Sequence, residues 1–425
     1  MTIPALIPSQ IQGFLDRHEI SEQPTLYEFP DVLQHNLDLI DDLPVQVYVA
    51  HKPTKSQEMI RAAHQAGHGV DVSSLGELQN AENADIPPEE IEATGPKNTL
   101  FIDELLQRNI LISVDSLAEL RYIADQDVQA SVQLRVANPT EEIGGTTKFG
   151  IKKDQLVDAR AIVGDSKARV EGFHYHGDGL TARLRANVVS SFLSLIENHF
   201  PRATKINVGG GFRAQRLRNP TDWSKHIQSV VEGLKQGSNE TWSQTPYGLH
   251  VTRDNTVQGR EKAMLPGTEK TLRSQLTAFL EEDVRPRTTV ADIIHDTDIS
   301  IIIEPGHALL HNTAIASLPV EHTKETPNGP LTVVNAHTFM LSTHMSPPRA
   351  TPRLTPRGEE DTYETFIGGL LCRNDDVFTT RPVTLHRQPR RGDNLVFFNQ
   401  GAYASYEQGT PQLHHRINTE VVHES

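Results

Sequence analysis

Cysteine is almost missing from this 425-residue chain: Cys372 stands alone, so no intrachain disulfide can form and a reducing compartment is expected. No apolar stretch reaches the roughly 18 residues that a membrane helix needs. The start, Met1-Thr2-Ile3-Pro4-Ala5-Leu6-Ile7-Pro8, lacks the basic residues and long apolar core of a secretory leader, and a cytoplasmic location is expected. An excess of positive charge is missing too. The formal net charge is −15, spread along the chain, which argues against nucleic acid or an anionic membrane as a partner. What remains, 36% hydrophobic and 22% charged residues, is the make-up of a folded globular protein. One core seldom serves more than roughly 250–300 residues, so two domains are expected.

From about residue 44 to about 315, short β-rich runs alternate with amphipathic, helix-like segments. Strands are expected at Val45–Ala50, Gly69–Val72, Ile91–Ala93, Ile110–Val114, Ser131–Val136, Val170–His176, Lys205–Val208 and Ile299–Glu304. Helical patterns such as Ser56–Ala66, Leu75–Ala84, Ser116–Ala124 and Ala182–Ile196 lie between them. That alternation predicts an α/β fold, a parallel (β/α)8 barrel, although periodicity alone does not separate it from an open sheet. Past residue 315 come short strands broken by Pro, Gly and Arg, at Val333–Asn335, Thr338–Leu341, Val383–His386, Asn394–Phe398 and Ile417–Val422. They predict a C-terminal, mostly-β domain. The expected boundaries are 31–315 for the barrel, with a polar insertion at about 236–268, and 316–425 for the β domain, which residues 1–30 are expected to join.

Polar groups at the ends of successive strands mark the rim of such a barrel. Val47-Tyr48-Val49-Ala50-His51-Lys52-Pro53 ends an apolar run on one lysine. A lone lysine there is most often a surface residue, but an amine in a partly dry pocket loses its proton more easily and becomes a Schiff-base nucleophile. Gly209-Gly210-Gly211, directly after Ile206-Asn207-Val208, lets backbone N–H groups approach an anion such as a phosphate; taken alone it is equally a tight turn. Ile303-Glu304-Pro305-Gly306 ends a buried strand on a carboxylate. Burial of such a charge is costly unless it is paired, so Glu304 calls for a cationic partner such as a protonated pyridine nitrogen. His174 and His176 flank Tyr175 at another strand end, where an imidazole could stack on an aromatic cofactor. With no third ligand evident, no metal is expected.

Taken together, Lys52, Asp71, Gly76-Glu77-Leu78, Lys148-Phe149-Gly150, His176, the glycine triplet and Glu304-Pro305-Gly306 resemble the ordered motifs of the fold-type III pyridoxal-phosphate decarboxylases. That family includes the diaminopimelate, ornithine and arginine decarboxylases. The likeness continues through Gly369-Leu370-Leu371-Cys372-Arg373-Asn374-Asp375-Asp376 and Gly401-Ala402-Tyr403, spans roughly residues 25 to 420, and is nearest in layout to the diaminopimelate branch. It implies an alanine racemase-like barrel, pyridoxal 5'-phosphate as cofactor and decarboxylation of an amino acid or amino-acid conjugate. It implies that Lys52 carries the cofactor, Glu304 keeps its ring nitrogen protonated and His176 stacks on the ring. Asp71, Gly209, Gly210, Gly211, Gly306 and Tyr403 are implied as cofactor contacts. Cys372 resembles a cysteine that the family inserts from a second subunit as proton donor; alone it would be a small buried hydrophobe. Lys148 and Asp376 resemble a pair that meets across the interface of a two-fold homodimer.

The departures are as informative. Where the family has arginine after the Glu-Pro-Gly turn this chain has His307, and the serine near the stacking histidine is replaced by Asp178 or Gly179. Arg135 or main-chain groups are then expected to supply the missing positive charge. The first β-domain strands lack the Arg-Pro motif of diaminopimelate decarboxylases: Val334 to Met345 contains no arginine. Arg373 follows the cysteine where relatives place glutamate, so Arg373 and Asp376 are expected at the substrate, with a distal carboxylate favoured over a distal ammonium. Two rival readings stay open. One is a racemase on the same barrel, which Glu304 opposes because alanine racemases pair the ring nitrogen with arginine. The other is a non-catalytic regulatory homologue.

Overall fold

The computed structural model describes residues 7–18, 20–215, 220–237, 241–242, 248–259, 268, 270–341, 351–356, 361–379, 381–404 and 417–423. The chain divides into two compact units, one of Leu33–Arg213 and Lys270–Leu309, the other of Met1–Val32, Ala214–Glu269 and Leu310–Ser425.

The first unit is a closed parallel barrel. Its strands run in chain order as Gln46–Ala50, Gly69–Val72, Ile91–Ala93, Leu111–Val114, Ala130–Ala137, Ala168–His174, Lys205–Asn207 and Ser300–Ile303. Each pairs in parallel with the next, and the last pairs with the first. The predicted (β/α)8 barrel is what forms, with strand ends within a few residues of those expected. Helices start where the sequence supplies a cap: the side chains of Ser56, Ser74, Asn98, Ser116, Thr181 and Thr271 each accept an N–H from the first turn of the helix that follows. Further helices complete the ring, among them Thr99–Gln107, Leu156–Gly164 and Leu272–Leu280. Between the seventh and eighth strands the chain leaves the barrel at Ala214 and returns at Lys270.

The second unit is built on a mostly antiparallel sheet ordered Arg353–Thr355, Asn394–Phe397, Ala314–Thr326, Gly329–Val334, Tyr363–Gly368, Val383–Leu385. Thr25–Glu28 pairs antiparallel with the long strand Ala314–Thr326 and parallel with Asn418–Val421. A core of Leu26, Leu318, Val334, Leu354, Ile367, Leu395 and Phe397, among others, holds it together. Helix Pro220–Gln236 and the small hairpin of His250–Val251 and Val257–Gln258 belong to this unit. One expected strand, Thr338–Leu341, is corrected: Thr338–Met340 is a short 3-10 turn. The Asp376 carboxylate takes both the Thr338 N–H and its hydroxyl, and Met340 points into the core, so the ladder ends there.

Candidate active site

Lys52 sits two residues beyond the first barrel strand, exposed, on a turn locked from beneath. The His51 N–H donates to the Asp71 carbonyl and the Thr54 N–H to the His51 carbonyl. The His51 ring is fully buried between the Thr54 carbonyl (2.7 Å) and the Asn80 amide (2.9 Å), and burial holds its pKa down. Gly306 closes the turn from the other side: a Cβ there would stand 2.6 Å from Pro53 Cγ and 3.2 Å from Ala50 Cβ. Gly306 thus packs directly against the lysine turn.

Barrel interiors are usually filled with branched apolar side chains; this one holds a buried polar network. Asp71, Glu92 and Glu304 each place an oxygen within 4.8 Å of the others. Three such charges cannot coexist out of water, and the chain divides their protonation. Burial, reinforced by the charge of Glu304, pushes Asp71 up to about 8, against the Thr94 hydroxyl, which donates to it at 2.7 Å. Burial and the two neighbouring acids push Glu92 up further than its bonds from Gln133 and Asn207 bring it down. Glu304 is the acid that stays ionised. Burial opposes its charge too, but the His176 ring and the Arg135 guanidinium hold the carboxyl below its ordinary range, and His174 adds to this only where it is itself protonated. Asn207 Nδ2 donates to Glu304 Oε1 at 2.8 Å and to Glu92 at 3.1 Å. His174 Nε2 lies 3.3 Å from the same Glu304 oxygen, its Nδ1 meets the Ser113 hydroxyl at 2.6 Å, and burial drives its pKa to about 3, so the ring is neutral.

His176 stands at the edge of this network. Its Nδ1 is 3.5 Å from Glu304 Oε2 and accepts the Gly210 N–H at 3.2 Å; Nε2 lies 3.6 Å from Asp178. Burial lowers its pKa, but the two carboxylates prevail and raise it. Protonated at Nδ1 the ring serves Glu304; unprotonated there it serves Gly210. The glycines themselves are required: Gly209 and Gly211 have φ of +65° and +72°, and a Cβ on Gly211 would meet the Gly177 carbonyl at 2.2 Å. The Gly209 N–H is taken by Asn207 Oδ1 at 2.8 Å. Lys52 acts electrostatically on Asp71, His176 and Asp178 alike, which puts its ammonium on the same rim. Arg135 pairs with Asp115 at 3.3 Å and lies 4.3 Å over the Phe149 ring. Its charge acts on Glu304 and His174. His307 opens a short helix, His307–Leu310.

In the second unit Cys372 is exposed and free, in the bend that follows Tyr363–Gly368. Arg373 makes a two-pronged ion pair with Asp375, at 2.9 and 2.7 Å, and lies 5.3 Å over Phe339. Asp376, expected at the substrate and opposite Lys148, is held by its own unit. It is 4% exposed, and its oxygens accept the N–H and hydroxyl of Thr338 and the N–H of Leu371. Tyr403 is held at φ +61°, a left-handed conformation that a tyrosine adopts only under constraint. It follows Gly401, whose Cβ would stand 2.0 Å from the Leu310 carbonyl.

A family described as "Pyridoxal-dependent decarboxylase, pyridoxal binding domain" matches residues 31–244, half of the chain. The chain belongs to the pyridoxal-dependent decarboxylases. Among relatives, an uncharacterized protein of Sinorhizobium fredii, y4yA, is 27% identical over 400 residues, 88% of this chain and 82% of that one. The diaminopimelate decarboxylase of Buchnera aphidicola subsp. Schizaphis graminum is 22% identical over 404 residues, 88% and 83% of the two chains. In fold, the diaminopimelate decarboxylase from M. jannaschii, solved in co-complex with L-lysine, matches with a TM-score of 0.72 at 19% identity over 99% of this chain and 93% of that one.

Membership among the pyridoxal-dependent decarboxylases makes pyridoxal phosphate the cofactor and decarboxylation the reaction class. The donor set of the barrel fits that group: an amine on a braced turn, and one ionised carboxylate kept among neutralised acids for a cationic ring nitrogen. Sequence reasoning missed Glu92, Asn207 and Ser113, all buried in the barrel. The signal was present, since each is a polar residue inside a short apolar strand. It also missed Arg185, an arginine at the head of the apolar stripe Val189, Phe192, Ile196 of helix Ala182–His199. Among the described residues no helix is long and apolar enough to cross a membrane.

Proposed function

We propose that this chain decarboxylates an amino acid or amino-acid conjugate, with Lys52 holding pyridoxal phosphate covalently through Nζ. The observation that carries the reading is Glu304, a buried carboxylate just past a barrel strand, taking Asn207 Nδ2 at 2.8 Å with His174 and His176 nitrogens at 3.3 and 3.5 Å, neighbours that favour its ionised form. A carboxylate in that state keeps a ring nitrogen protonated, whereas a guanidinium would not, and this favours decarboxylation over racemisation. When bound, the cofactor supplies an electron sink for the charge left as CO2 departs. His176, beside Glu304, is the ring on which the cofactor packs, and its protonation at Nδ1 releases the Gly210 N–H. Gly209, Gly210, Gly211, His307 and Tyr403 hold the phosphate. Asp71 stays neutral next to the amine, and Arg135 supports the charge of Glu304. Cys372 gives its proton to the site of a second copy of the chain in a homodimer.

Borohydride reduction of the cofactor-loaded protein followed by peptide mapping tests the assignment. The pyridoxyl group is expected on Lys52; labelling of another lysine would overturn it. A screen of amino acids for CO2 release, against exchange of the α-hydrogen with solvent, separates decarboxylase from racemase. Arg373 favours a substrate with a distal carboxylate, which would take the place that Asp375 now occupies. Poor activity on meso-diaminopimelate, lysine and ornithine is expected. Efficient turnover of meso-diaminopimelate refutes that preference, and an unchanged substrate ranking in Arg373→Glu leaves Arg373 with Asp375 as its sole role.

A further inference from the structure

The helix Ala182–His199 turns Arg185 inward, among Ala186, Val188, Val189 and Phe192. Its guanidinium is 1% exposed and lies 4.0 Å over the Phe212 ring. Among the described residues no carboxylate forms an ion pair with it. Its bonds go to main-chain carbonyls: Nη1 donates to Val208 O at 2.7 Å and Nη2 to Gly210 O at 3.0 Å. Burial lowers its pKa to about 10, and the charge of Glu304 acts on it without a direct ion pair. A buried charge so placed is costly, so its retention calls for a reason. The two carbonyls bracket the glycine turn. The Val208 carbonyl shares its peptide with the Gly209 N–H, already given to Asn207. The Gly210 carbonyl shares its peptide with the Gly211 N–H. A cation hydrogen-bonded to a carbonyl polarises the whole peptide unit and makes its N–H a stronger donor, as in chains of hydrogen bonds generally. This positive charge stands directly behind the glycine turn, and Asp178 places a negative charge 3.6 Å from His176 beside it.

We propose that Arg185 is a positioning residue for the anionic phosphate of the cofactor: from behind the glycine turn it holds the turn's shape through the Val208 carbonyl and, through the Gly210 carbonyl, makes the Gly211 N–H a stronger donor. The proposal rests on the reading of that turn as the phosphate seat. It gives a reason for a buried arginine at the head of an apolar helix face.

The test compares two ligands that differ by the phosphate alone. Full-length protein stripped of cofactor is titrated with pyridoxal phosphate and with pyridoxal, following absorbance, and folding is checked by circular dichroism. Wild type is expected to prefer pyridoxal phosphate. In Arg185→Met that preference is expected to fall by about tenfold or more, the worth of one charge-assisted hydrogen bond, while the affinity for pyridoxal stays the same. Should the methionine variant not fold, Arg185→Gln keeps a donor without the charge and is expected to lose the same preference. Equal losses for both ligands would reduce Arg185 to a packing role, and an unchanged preference in a folded variant would overturn the proposal. If wild type itself shows no preference, the phosphate seat is misplaced and the failure lies with that reading instead.

Discussion

Replacing Asp71 by asparagine should stabilise the cofactor-free protein, and by more as the pH rises. Asp71 is held protonated in the fold, at about 8 against an ordinary 3.8, first by burial and then by the charge of Glu304. For an acid whose pKa rises on folding, the unfolded chain releases its proton first. The penalty is therefore absent below the unfolded pKa, grows through the window from 3.8 to about 8, and levels off above it. The slope inside the window is about 1.4 kcal/mol per pH unit, which amounts to about 4 kcal/mol at pH 7 as a ceiling. Asparagine does not titrate, and its Oδ1 can still accept the Thr94 hydroxyl. Urea midpoints of wild type and Asp71→Asn, taken from pH 5 to pH 8 at one protein concentration, should diverge steadily. Glu304→Gln provides an internal check: it removes the second cause and leaves burial, so the wild-type window should shorten from its upper end without closing. A stability gap that is constant with pH, or that widens toward acid, would mean that Asp71 is ionised in the fold and that the division of protons among the three acids is wrong.

Lys52→Ala and Cys372→Ala should each be nearly inactive alone, yet recover partial activity when mixed under conditions that exchange subunits; no recovery despite proven exchange would place Cys372 outside a shared site. Gly306→Ala should lower stability by about 1–3 kcal/mol, the usual range for overpacking, because its Cβ would press on Pro53. The same variant should slow labelling at Lys52, and unchanged stability and labelling would show that the turn yields freely. Asp178→Asn should lower the pKa of the His176 imidazole, read by NMR of the ring protons. The stability that the raised pKa provides is present below the ordinary histidine value and lost as pH rises through the folded one, so the variant should lose stability on the acid side; an unmoved titration would exclude Asp178 as the cause.

Much of this protein was legible in one dimension because strands, caps and glycine turns are local. Runs such as Val47–Ala50 and Ile301–Ile303 mark buried parallel strands by composition alone, and Ser56, Ser74, Ser116 and Thr181 announce the helices they cap. The ordered motifs around Lys52, His176, the glycine triplet and Glu304 carry the family for the same reason: each lies on one strand end and reads without its neighbours. Thr338–Met340 was misread because a carboxylate 36 residues downstream of Met340, Asp376, decides its conformation, and no window around the segment contains that residue. The proton inventory of Asp71, Glu92 and Glu304 was beyond the sequence altogether. Three acids, two on strands and Glu304 just past a third, become one ionised group and two neutral ones only when barrel closure brings them within 4.8 Å and removes the water that would have screened them. Arg185 likewise reads as an odd residue on a helix until folding sets it against two carbonyls of the glycine turn. Residue identity and spacing determined the barrel and the chemistry its rim can carry. Only the tertiary structure decided which groups are charged, because that depends on burial and on neighbours distant in the chain.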